Sequence, residues 1–93
     1  MGLPLVSVCL PVFNGAGFIS EAIESVRQQT FTDWELVIVD NASHDGTSEI
    51  PAKIQASSPD PRISVFRNST TLAMAENWNV ALAHTQAPFL ELS

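Results

Sequence analysis

Two short segments hold most of the side chains able to do chemistry. Pro11-Val12-Phe13-Asn14 follows one apolar run, and Asp40-Asn41-Ala42-Ser43-His44-Asp45-Gly46 follows another. In open α/β sheets ligands bind at the carboxyl ends of the strands, so an acid there either caps a turn or faces a ligand. Phe13 is either a minor core residue or a flat platform on which a ring can stack. Ser43-His44-Asp45 has the residue types of a hydrolase triad, yet consecutive residues cannot present that geometry, and no nucleophile elbow precedes them. Cys9, His44 and His84 lack metal-ligand spacing. Gly15-x-Gly17 with Asp40 imitates a dinucleotide fingerprint, but Ser20 stands where the third glycine belongs. Residues 11–14 also lengthen a loop that a pyrophosphate needs tight.

These segments need strands behind them. Leu5 to Leu10 reads as a buried strand ended by Pro11. From Phe18, apolar residues at Ile19, Ala22, Ile23 and Val26 follow helical spacing. Trp34 to Val39 is the strongest strand, apolar enough to be a central parallel strand covered on both faces. A second helix is expected from near Ser48, as its N-cap, to about Ala56. Pro51 is then the third helical residue, where a missing N–H matters little. Ile63 to Phe66 alternates weakly and reads as a strand near an edge. A helix over 71–83 is expected, capped by Thr70 or Thr71, with Met74, Trp78, Ala81 and Leu82 on its core face. Pro88 to Leu92 begins a fourth strand. Strand–helix alternation implies right-handed crossovers and an α/β fold: an open, mainly parallel sheet with helices on both faces.

Length and charge narrow the field. Ninety-three residues allow one domain, residues 1–93. Ten acidic against four basic side chains leave a net charge of −6, which argues against a nucleic-acid partner, since backbone binding needs clustered Lys and Arg. One cysteine permits no intrachain disulfide. No apolar run approaches the roughly 20 residues that span a bilayer. With no transmembrane segment and no signal peptide in view, the expected location is cytoplasmic.

Taken together, four ordered blocks resemble the inverting family 2 glycosyltransferases of GT-A fold. Val6-Ser7-Val8-Cys9-Leu10-Pro11-Val12-Phe13-Asn14 is similar to that family's "VSVIIPxYN" start. Residues 25–35 are similar to "SVLxQTFxDxE", and residues 37–47 to "IIVDDGSxDGT". Met74-Ala75-Glu76-Asn77-Trp78-Asn79, followed by Ala87-Pro88-Phe89-Leu90, resembles "ARNxG…GEYI". The resemblance implies the Rossmann-like half of a GT-A domain with sheet order 3-2-1-4. It also implies a nucleotide-sugar donor, a UDP- or dTDP-sugar, held by Pro11, Val12, Phe13, Asn14, Asp40 and Asn41. Phe13 would stack on the base, where the family more often has Tyr. The second acid of the family's "DD" pair commonly accepts a hydrogen bond from the base N3–H; Asn41 stands there, and its carbonyl oxygen can still accept.

Other departures follow. Thr70 replaces the family's usual glycine in the donor-side loop. The family's DxD motif, which holds Mg²⁺ or Mn²⁺ on the donor diphosphate, would come after Ser93. The expected divalent ion of the full-length enzyme therefore has no ligands in this chain, and no catalytic base can be mapped. The expectation is a domain incomplete at its C-terminus, inactive alone, that self-associates through an uncovered sheet edge. The full-length protein would make cell-surface polysaccharide or glycolipid, at the inner face of the membrane. Two alternatives stand beside this reading: a non-catalytic nucleotide-binding or interaction module, and an NAD-binding Rossmann half-domain.

Overall fold

A computed structural model describes residue 4, residues 6–29, 32–47 and 49–86, and the backbone of residues 89–92. Its elements alternate as β1 (Val6–Val12), α1 (Ile19–Arg27), β2 (Trp34–Asp40), α2 (Glu49–Ser57), β3 (Ile63–Arg67), α3 (Met74–Ala83) and β4 (Phe89–Leu92). The strands form one parallel sheet in the order β3-β2-β1-β4. β2 is buried along its whole length, as a central strand with both faces covered must be.

The two faces divide the side chains by parity. Val8, Leu10 and Val12 of β1 and Trp34, Leu36 and Ile38 of β2 meet Ile19, Ile23 and Val26 of α1, with Ile50 and Ile54 of α2 packed beside them. Cys9, Val37 and Val39 point the other way, where Ala81, Trp78 and Val80 of α3 and Phe66 cover them. The result is three layers. Each buried branched side chain contributes about 1.5–3 kcal/mol by leaving water. Burial also pushes the Cys9 thiol up, so it stays a protonated, apolar core group.

Three local expectations need correction. Pro11 does not end β1, which runs on to Val12. The even-numbered residues of β1 direct their backbone toward β2, as Val6 N–H does to Asp33 O and Val12 O does to Asn41 N–H. Pro11 therefore turns its missing N–H to the opposite side, beyond the last β1–β4 pair at Cys9 and Leu92. No ladder bond is lost there, which is why proline is tolerated.

The third helix starts later than its apolar spacing suggests. α3 opens at Met74 with Ala73 as N-cap, and the Ala73 N–H donates to Glu76 Oε1 at 3.3 Å. Thr70 and Thr71 lie in the extended segment before it. Its buried face is Asn77 and Ala81, while Met74 is 77 % exposed and Leu82 39 %. Asn77 displaces the apolar residues because its amide joins a polar network, described below. His84, at the end of α3, stacks on Phe66 with ring centroids 3.6 Å apart.

α2 begins at Glu49 and makes Pro51 its third residue. Ser48, its expected cap, lies outside the described residues, as do Leu5 and Pro88, the expected first residues of β1 and β4. β4 pairs with β1 alone among the described residues.

Candidate nucleotide site

Above the carboxyl ends of β1 and β2, the loops 13–18 and 41–47 are bolted together by side chains. Asn14 N–H donates to Ser43 Oγ at 2.8 Å, and Gly15 N–H to Thr47 Oγ1 at 2.8 Å. Ala16 N–H donates to Asp45 Oδ2 at 3.1 Å, and Asn14 Oδ1 accepts from His44 N–H at 2.9 Å. Asn14 (φ 53°), Ala42 (φ 57°) and Gly46 (φ 86°) take left-handed conformations that let both loops curl back. A Cβ on Gly15 would lie 2.7 Å from the Phe18 ring, so any larger residue there requires that half-exposed ring to shift.

Asp45 carries part of this bolt. Its carboxyl is held below the usual carboxylate range, chiefly by the hydrogen bond from the Thr47 hydroxyl. A depressed folded-state value means that stability is present above the unfolded value and is lost as pH falls through the folded one. Asp45→Asn is therefore expected to flatten the acid limb of a thermal-stability profile below about pH 4. An unchanged limb would show that the Thr47 contact contributes nothing.

Asp40 ends β2 with a side chain only 1 % exposed. Its Oδ1 accepts from the Ser43 hydroxyl, and its Oδ2 accepts from Ser43 N–H at 3.3 Å. The Arg67 Nε lies 3.6 Å from Oδ2, and Arg67 Nη2 also donates to Ser43 O at 3.2 Å. A buried carboxylate is thus paired and hydrogen-bonded, as burial requires.

A pocket of about 300 Å³ opens beside these loops, lined by Pro11, Val12, Phe13, Asn41, Thr71, Leu72, Met74, Asn77 and Trp78. Four of the six residues expected from sequence meet in it: Pro11, Val12, Phe13 and Asn41. Phe13 is 49 % exposed and so is not a core residue. The other two, Asp40 and Asn14, do not line it. Both carboxylate oxygens of Asp40, and the N–H and Oδ1 of Asn14, are engaged in the loop bolt, where they position the two loops. Trp78 was expected wholly in the core; it is partly buried, packing on the α3-side core while also lining the pocket. Thr71 and Leu72 belong to the segment 68–72 that the resemblance sets at the donor side, whereas Asn77 is a pocket residue that sequence reasoning missed. Asn77, a lone polar residue where the apolar face of α3 turns inward, was the available signal.

The geometry removes one alternative. A dinucleotide pyrophosphate needs free N–H groups in the first strand–helix loop. Here the N–H groups of Asn14, Gly15 and Ala16 are all taken by side chains of the other loop. Nor do the residues fit a divalent cation: among the described residues, no three His, Cys, Asp or Glu side chains form a group that could hold one. None of the helices in the described residues is long and apolar enough to cross a membrane.

Comparison with known proteins agrees with this arrangement. The family model described as "Glycosyl transferase family 2" matches residues 7–90. A Bacillus subtilis protein named "Putative glycosyltransferase EpsE" is 36 % identical over 87 residues, covering 94 % of this chain and 31 % of the relative. Chondroitin synthase of Pasteurella multocida is 35 % identical over 81 residues, covering 87 % of this chain and 8 % of the relative. Among solved structures, the mannosyltransferase PcManGT of Pyrobaculum calidifontis, in complex with GDP-Man and Mn²⁺, superposes with a TM-score of 0.82 at 28 % identity. That match covers 92 % of this chain and 26 % of the other. TarS of S. aureus in complex with UDP superposes at 0.83 with 27 % identity, over 96 % of this chain and 26 % of the other. The chain thus spans about a third of the length of EpsE and of other curated relatives it matches.

Proposed function

Because this chain belongs to the family 2 glycosyltransferases and has their GT-A fold, we propose that it forms the nucleotide-binding part of an enzyme that moves a sugar from a nucleotide-sugar donor to an acceptor hydroxyl, with inversion. The observation that carries this is the pocket where Phe13, Pro11, Val12 and Asn41 converge at the ends of β1 and β2. Its volume of about 300 Å³ is at the small end of ligand pockets, which run ~300–1,000 Å³. That is room for a base and its ribose, with the diphosphate and sugar lying outside.

Within this reading Phe13 supplies a flat apolar face for the base, Asn41 meets its edge, and the backbone of Pro11 and Val12 lines the ribose. Asn14 and Asp40 hold the two loops at the separation the pocket needs. Charge compensation at the leaving diphosphate would come from Mg²⁺ or Mn²⁺, for which the described residues form no group of three His, Cys, Asp or Glu side chains. A relative named for teichuronic acid biosynthesis and one named chondroitin synthase support a cell-surface polysaccharide product.

Titration of the protein with nucleoside diphosphates and with NAD, followed through Trp78 fluorescence, tests the reading. Saturable quenching by a nucleoside diphosphate but not by NAD is expected. Quenching by NAD alone, or by neither, would overturn it.

A further inference from the structure

Resting on the nucleotide reading above, we propose that the pocket wall selects a base with a hydrogen-bond acceptor at its ring nitrogen, as in cytosine, over one with an N–H there, as in uracil or thymine. The argument turns on which end of each amide faces the pocket.

Leu72 sets the first amide. Its N–H donates to Asn41 Oδ1 at 2.8 Å, and its carbonyl accepts from Asn41 Nδ2 at 2.8 Å. A flipped amide would set N–H against N–H and carbonyl against carbonyl, so the orientation is fixed by the backbone of Leu72. The second lone pair of Asn41 Oδ1 is taken by Asn68 Nδ2 at 2.9 Å. Asn68 spends its other amide hydrogen on Asn77 Oδ1 at 2.7 Å. That bond orients Asn77 in turn, leaving its Nδ2 with no protein partner among the described residues.

Both Asn41 and Asn77 line the pocket. The oxygen of each already accepts within the network, and Asn41 Oδ1 accepts twice. Asn41 is left with one hydrogen on Nδ2 and no free lone pair, while Asn77 keeps the hydrogens of Nδ2 and one lone pair on an oxygen already turned to Asn68. Thr71, the remaining polar side chain of the lining, rotates its hydroxyl to donate or accept and so does not discriminate. Set against Asn41, the N3–H of uracil meets a donor and loses its hydrogen bond, whereas N3 of cytosine accepts one. Sites built around a hydrogen bond reject partners that leave it unmade. The acceptor role expected of Asn41 from sequence is thereby reversed: its oxygen is committed to holding the 68–72 segment.

Parallel calorimetric titrations with CDP, UDP and dTDP test the proposal. CDP is expected to bind about tenfold or more tightly than UDP and dTDP, a ratio typical of one hydrogen bond made or lost. Asn41→Asp, which replaces the donor by a carboxylate oxygen, is expected to erase that preference. UDP or dTDP binding as tightly as CDP to the unaltered protein overturns the selection while leaving the nucleotide reading intact. Binding of none of the three overturns both.

Discussion

Asp40→Ala is expected to lower the unfolding free energy by about 3 kcal/mol, because hydrogen bonds to a buried charge carry about 1.5–3 kcal/mol each and leave their partners unsatisfied when removed. Ser43 would lose the acceptor for both its hydroxyl and its N–H. Arg67, with its side chain half exposed, would be rehydrated at little cost. For a domain of this size the fall corresponds to roughly 15 °C in melting temperature. Ser43 Oγ also receives Asn14 N–H, so the damage spreads to the loop that carries Phe13. Nucleotide affinity should therefore fall together with stability, although Asp40 lines no part of the pocket. Asp40→Asn, which keeps an acceptor for Ser43, should recover most of both. Calorimetric unfolding alongside ligand titration reads the two effects. A variant Asp40→Ala that melts with the parent protein would remove Asp40 from the loop bolt.

Phe13→Ala should behave in the opposite way. The ring is 49 % exposed and belongs to neither core cluster, so its removal should shift the melting temperature by no more than a degree or two. Base–aromatic stacking is worth ~1–3 kcal/mol per base, which converts to a loss of about five- to 150-fold in nucleotide affinity. Phe13→Tyr, which keeps the flat face, should bind like the parent. The pair of variants thus separates positioning from contact: one loses stability and affinity together, the other affinity alone. Unchanged affinity in Phe13→Ala would mean that the base does not lie on this ring.

The layout of strands and helices was legible because it depends on patterns that neighbouring residues impose on one another. The run from Trp34 to Val39, apolar but for Glu35, suits a strand covered on both faces, and the spacing of Ile19, Ile23 and Val26 suits a helix with one buried side. The position of the pocket was legible for a related reason, since strand ends in such sheets are where loops gather. Family membership followed from short blocks at fixed spacing, each tied to a local backbone shape.

What the chain order alone could not decide was the partner of each polar group. Asp40 and Asn41 are adjacent, yet alternation along the strand end sends one into the loop bolt and the other to the pocket. The late start of α3 and the burial of Asn77 likewise depend on Asn68, nine residues away, whose amide is itself placed by Asn41 across the sheet. Apolar burial is non-directional and can be read as a pattern along one chain. A hydrogen bond has direction and a definite partner. Which polar atom faces the pocket was therefore settled only when residues 29 to 32 positions apart in the chain had been brought together.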